Sequence, residues 1–352
     1  MSQYKEVVIG KKSLKYPVVQ GGMGIGVSLG TLAGNVAKEG GAGTISAAQI
    51  GFREPDFYTN AEAANLRAIE KEIQTARKIA PTGVIGINIM TVTKEYEEQV
   101  RKAAECGVDF IVSGAGLPVK LPEYVKDFDV AIIPVVSSLR SAQVLIKMWQ
   151  KRYQRLPDAV VIEGPKAGGH LGFLPEQLED ISDEEFEAEE CRIIQYVREL
   201  GDAKQVYIPV IVGGGVNTAS DLKHHLELGA DAIQAATKFV TTKECDAHPL
   251  YKEAYINCQK EDICIIKSPV GMPGRAIFNH FLDQVKKGLR PVQKCYRCMG
   301  ACNPAKAPYC ITEALIHAVK GELEEGLIFC GADAFQAAKI TTVKQVMEEL
   351  IQ

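Results

Sequence analysis

Two groups of residues in this 352-residue chain have the types and the spacing to do chemistry together. The first is the run Glu163-Gly164-Pro165-Lys166-Ala167-Gly168-Gly169-His170. Histidine is the side chain that can both take and give a proton near neutral pH, which makes His170 the candidate acid–base residue. Gly168 and Gly169 carry no Cβ, so their backbone can lie close to a flat or anionic ligand. The second group is Cys295, Cys298, Cys302 and Cys310, in a C-x2-C-x3-C pattern followed by a fourth cysteine. Short spacings of this kind put several thiolates within reach of one soft centre, and four thiolates suit either tetrahedral zinc or an iron–sulfur cluster. Each group also has an ordinary reading: a tight turn with a solvent-facing histidine, and a set of reduced thiols packing a small appendage.

These residues need a scaffold, and the chain supplies a repeating one. Val160, Val161 and Ile162 run straight into the histidine loop and read as a buried strand of a parallel sheet, with the loop at its carboxyl end. Similar apolar runs occur at 16–20, 43–47, 84–90, 110–113, 130–136, 207–212 and 232–235. Most are followed by a stretch of helical periodicity, and several helices end on glycine, as at Glu39-Gly40-Gly41 and Glu105-Cys106-Gly107. Eight such units predict an α/β fold of the TIM (β/α)8 type, with active-site loops at the carboxyl ends of the strands. Two segments exceed the repeat. Residues 174–200, after the sixth strand, are rich in acid (Asp180, Asp183, Glu184, Glu185, Glu187, Glu189, Glu190) and form a lid-like excursion whose charges read as a solvated helical face. At the other end, residues 1–285 read as the barrel, and residues 286–352 as a Cys-rich segment with a C-terminal helix packing back on it.

The last two strand ends suggest a ligand. Val212-Gly213-Gly214-Gly215-Val216 offers unencumbered amides, with Asn217 or Thr218 to cap the next helix, and Gln234-Ala235-Ala236-Thr237 ends the eighth strand. A barrel's phosphate site is built from these two loops. Across from it, Gly22 and Met23 fit a flat ring and Asn88 offers an amide for polar ring atoms, which together outline a site for an elongated phosphorylated ligand. Composition narrows the partners. Lys and Arg number 40 against 44 Asp and Glu, which leaves no electrostatic case for nucleic acid. No apolar stretch approaches the ~18 residues of a membrane span, and the first residues do not read as a signal peptide. A cytoplasmic protein is expected, its ten cysteines being thiols or ligands rather than disulfides.

With these pieces assembled, the chain resembles the nitronate monooxygenase (2-nitropropane dioxygenase) family, which is close to the FMN-dependent enoyl-ACP reductases. The resemblance rests on Pro17-Val18-Val19-Gln20-Gly21-Gly22-Met23, Gly86-Ile87-Asn88, Pro134-Val135-Val136, the histidine loop, and the strand-seven and strand-eight ends. It extends to Ser268-Pro269-Val270-Gly271-Met272-Pro273-Gly274-Arg275-Ala276-Ile277-Phe278-Asn279, similar to the family's Gly-x-Pro-x-Arg-x-x-x-Asn arm. It implies an FMN-binding barrel with His170 as general base and FMN contacts at Gly22, Met23, Asn88, Glu163, Gly168, Gly214, Gly215, Gln234, Ala235, Ala236 and Thr237. Two features depart from the pattern: Glu163 stands where many relatives carry glutamine, and the pair Pro165-Lys166 replaces a common small-or-acidic pair. The activity implied is FMN-dependent oxidation of alkyl nitronates or nitroalkanes by O2. The alternative is NAD(P)H-dependent reduction of an enoyl-ACP or other enoyl thioester on the same flavin barrel. The cysteine segment is a feature these relatives do not need; its spacing is similar to that of the iron–sulfur segment in 2,4-dienoyl-CoA-reductase-like enzymes, with a shorter final gap. Oligomeric state is left open by the sequence.

Overall fold

A strand covered on both faces is expected to be nearly all apolar, and the barrel strands are mostly so, with polar residues such as Gln20, Asn88, Glu163 and Gln234 at or near their carboxyl ends. In the computed structural model, which describes residues 4–288, 290–300 and 302–352, the strands are β1 (Val18–Gln20), β2 (Ala42–Ser46), β3 (Val84–Met90), β4 (Phe110–Gly114), β5 (Ala131–Val136), β6 (Val160–Glu163), β7 (Val210–Gly213) and β8 (Ala232–Ala235). All pair in parallel with their neighbours in chain order, and β8 pairs with β1 to close the barrel. Every residue of β2, β4 and β7 is buried. The register then fixes the carboxyl rim. Gly213 is level with Glu163 on one side and Gln234 on the other, Ala235 with Gln20, and Ser46 with Asn88.

The amino end of the barrel is plugged by a hairpin that the sequence did not reveal, Val7–Ile9 with Lys12–Leu14. Its Val7, Ile9 and Leu14 pack in one cluster with Ala42, Val84, Ala131 and Ala232, the first residues of their strands. The outer faces of the strands are covered by helices. Helix Leu139–Tyr153 buries Leu145 and Trp149 at the expected spacing, and Ser138 caps it by accepting from Ser141 N–H at 3.2 Å. The acidic excursion is two helices. Pro175–Asp180 buries nothing, whereas Asp183–Lys204 buries Phe186, Ile193, Ile194 and Val197 against β6 and β7 and keeps most of its charges outside, with Glu190 buried as the exception.

Beyond residue 240 the chain does more than close the barrel and append a tail. Strands β9 (Ile263–Lys267), β10 (Pro273–Ile277) and β11 (Ile328–Phe329) form a small antiparallel sheet, and the two-residue strand Gly169–His170 pairs with β10. Ala276 pairs with Phe329, so segments on either side of residue 285 share one sheet. The closing helix Val343–Ile351 buries Val343, Val346, Met347 and Leu350 against Leu32, Val36 and Leu222. Among the described residues, no helix is long and apolar enough to cross a membrane.

Candidate active site

The carboxyl rim opens into a cavity of about 1090 Å³, and the histidine loop forms one wall. The loop is held at both ends. At the near end, buried Arg275 on β10 donates from Nη1 to Pro165 O at 2.8 Å and also to Ala167 O. At the far end, His170 pairs with Gly274. Gly168 is glycine for a steric reason: a Cβ there would sit 2.7 Å from the Cys330 carbonyl carbon, so the loop and the segment after β11 are pressed together. His170 Nε2 lies 2.7 Å from Oγ of Ser268, a buried residue, and the imidazole stands edge-on to Phe329 with ring centroids 5.0 Å apart. Burial pushes the His170 pKa down to about 4, so the ring is neutral at pH 7.

Glu163, at the end of β6, reaches into the same space, and its Oε2 accepts from Gly172 N–H at 3.1 Å. Burial pushes this carboxyl up to about 7, with the Gly172 hydrogen bond pulling weakly the other way. A group that carries a charge in only part of the physiological pH range therefore stands beside one that stays neutral.

Packed against Gly164, Lys166 and Ala167 of the histidine loop, Gly214 and Gly215 turn the chain at φ +106° and +85°, a conformation that suits glycine. Among the described residues, no protein carbonyl or side chain accepts from their amides. Thr218, not Asn217, caps the following helix, accepting from Asp221 N–H at 3.2 Å. Asn217 Nδ2 instead donates to Asp333 Oδ2 at 3.1 Å. On the remaining side, Gly22 is glycine because a Cβ would lie 2.5 Å from the Cβ of Asn88. Unused amides at one end, a bare glycine surface beside a carboxamide at the other, and the room between them fit a ring with a phosphate tail.

The structure brings His170, Gly22, Met23, Asn88, Glu163, Gly168, Gly214, Gly215, Gln234, Ala236 and Thr237 onto this one cavity. Ala235 is the exception. It points outward, buried against Val18 and Phe239, and its carbonyl accepts from Gly21 N–H at 2.9 Å. Residues unforeseen from sequence also line the cavity, notably Ser268's neighbours Lys267 and Val270, the Tyr251 and Tyr255 pair, and Phe329 to Asp333. His224 and His225 are occupied elsewhere, bonding Glu187 at 2.8 Å and buried Glu190 at 3.0 Å. The four C-terminal cysteines lie apart, around a second cavity of about 30 Å³, and among the described residues no three metal-binding side chains converge on one point.

Comparison with known proteins agrees with this architecture. The family model described as nitronate monooxygenase matches residues 5–352. A probable nitronate monooxygenase of Staphylococcus aureus (strain Newman) is 26% identical over 312 residues, covering 78% of this chain and 79% of that protein. The structure of FabK from Thermotoga maritima superposes with a TM-score of 0.73 at 26% identity, covering 96% of this chain and 92% of FabK. A nitroalkane oxidase from Streptomyces ansochromogenes shares the fold, with a TM-score of 0.69 at 19% identity over 96% of this chain and 95% of that one. With the family model spanning nearly the whole sequence, the chain belongs to the nitronate monooxygenase family of flavin-dependent oxidoreductases.

Proposed function

We propose that this protein binds FMN in the large cavity and oxidises small alkyl nitronates, or nitroalkanes after removal of their α-proton, with O2 as electron acceptor. The observation that carries the reading is a neutral, half-buried imidazole held by Ser268 on the wall of a cavity that also presents the unused amides of Gly214 and Gly215. Bound FMN would supply the two-electron oxidation of the carbanionic substrate and the reaction with O2.

The chain's own residues do the rest. The amides of Gly214 and Gly215, with the Ala236-Thr237 turn, would hold the phosphate, and Gly22, Met23 and Asn88 would bear on the ring. We assign the His170 proton to Nε2, donated to Ser268 Oγ. Nδ1 then keeps its lone pair and accepts the α-proton of a nitroalkane. A nitronate arrives without that proton, so His170 only orients it. General-base assistance of this kind is worth about 10²–10⁴-fold. Protonated Glu163 adds no negative charge to the pocket below about pH 7, which favours an anionic substrate.

The likeness to FabK from Thermotoga maritima favours a second reading, NAD(P)H-dependent reduction of an enoyl thioester. Oxygen uptake separates the two. The FMN-loaded protein should consume O2 when propyl-2-nitronate is added and should not oxidise NADPH faster with crotonyl thioester present. The reverse result would assign the protein to the reductase.

A further inference from the structure

The segment between helix His280–Lys286 and helix Ile311–Val319 is unlike the rest of the chain. Its described residues form no helix and no strand, and its one backbone pairing of sheet type joins Met299 to Thr93. It also lacks a core: among the described residues from 290 to 310, only Tyr309 is buried. Structureless stretches of this length inside a folded domain are uncommon unless they serve a function. A segment too small to build its own core ordinarily needs a covalent or metal staple.

The cysteines sit where such a staple would act. Cys295, Cys298, Cys302 and Cys310 all border the cavity of about 30 Å³, whose remaining lining includes no Asp, Glu or His. Cys295 Sγ accepts from Arg297 N–H at 3.4 Å. Cys310 stands at the N-cap of the nine-residue helix Ile311–Val319. Tyr309, beside Cys310, borders the same cavity and has a buried hydroxyl with no hydrogen-bond partner among the described residues.

We propose that these four cysteines bind a single thiophilic metal ion of the zinc class in a tetrahedral all-sulfur site. An all-thiolate donor set selects zinc or iron over magnesium or calcium. The cavity they border is small, about 30 Å³, which suits one ion better than a multi-iron cluster. The sulfurs do not yet converge on one point, so metal uptake closes the segment around the ion, and binding energy becomes ordering energy. The staple would also brace the flavin cavity. Lys94 N–H donates to Cys298 O at 3.2 Å and Gly300 N–H to Val92 O at 3.4 Å, and Val92 lines the large cavity. The site is independent of which substrate the barrel takes.

Metal analysis of the full chain, purified without oxygen or chelators, tests the proposal. About one zinc (or one iron without acid-labile sulfide) per chain is expected. Cys298→Ala and Cys310→Ala should each lose that metal, while Cys191→Ala, a cysteine outside the cavity, should keep it; circular dichroism reports whether each variant has folded. Chelation of the wild type should raise proteolytic cleavage between residues 288 and 311, and added Zn2+ should reverse it. Absence of metal from the wild type, or cleavage indifferent to both chelator and Zn2+, would overturn the site. Iron accompanied by acid-labile sulfide would overturn the single ion in favour of a cluster.

Discussion

His170 Nε2 and Ser268 Oγ stand 2.7 Å apart although 98 residues separate them in the chain. The contact exists because Gly169 and His170 pair with β10, and Ser268 lies in the turn that leads into that strand. A histidine on a glycine-rich loop would otherwise sample several orientations; here backbone pairing places it and a hydroxyl fixes its ring.

Ser268→Ala should therefore impair proton removal more than binding. A part-buried hydrogen bond of this kind contributes about 1 kcal/mol, or roughly five- to tenfold. That loss is expected in kcat/KM for a nitroalkane, with the nitronate little affected and the acid limb of the nitroalkane pH profile displaced. Adding His170→Ala should cost no more than His170→Ala alone, because the two residues act as one unit. Equal losses on both substrates would reduce Ser268 to a packing role.

Glu163 should make folding stability depend on pH in a predictable direction. Its folded pKa of about 7 lies above the ordinary value of 4.5. As pH rises between these values the unfolded chain releases the proton while the folded one keeps it, so stability falls across that window and levels off above it. The full cost is on the order of 3 kcal/mol. Glu163→Gln removes this titration. The variant's Tm should exceed the wild type's at pH 8 and match it at pH 4. A difference of the same size at both pH values would refute the titration.

Gly22→Ala tests the ring end of the cavity. The added Cβ would lie 2.5 Å from the Cβ of Asn88 and force its side chain aside. FMN binding, followed by fluorescence quenching, should weaken at least about tenfold, as expected for the loss of one good hydrogen bond and a close ring contact. Circular dichroism would check that the variant is folded. Unchanged affinity in a folded variant would place the ring elsewhere.

The barrel was legible because strands buried on both faces leave unbroken apolar runs such as Phe110-Ile111-Val112. The cap of the helix after β7 was legible to within one residue, as Asn217 or Thr218, for a local reason: the Thr218 side chain bonds backbone three residues on. What escaped notice was non-local. Strand Ile263–Lys267 is partly exposed and mixed in pattern, and its sheet joins residues near 170, 275 and 329. No sequence signal marks Ser268 as the partner of His170. Cys330, in loop-like sequence, is buried because its N–H donates to Arg275 O at 3.1 Å across that sheet. One departure could have been anticipated. Neighbouring residues of a strand face opposite sides, so Gln234 and Ala235 could not both face the cavity.

The most direct measurement mixes the FMN-loaded protein with substrate in the absence of O2 and follows the loss of flavin absorbance. Wild type should bleach with both propyl-2-nitronate and 2-nitropropane. His170→Ala should bleach nearly as fast with the nitronate and about 10²–10⁴-fold more slowly with the nitroalkane. Wild-type flavin that stays oxidised with both compounds and bleaches with NADPH, or equal slowing of His170→Ala on the two compounds, would contradict the account.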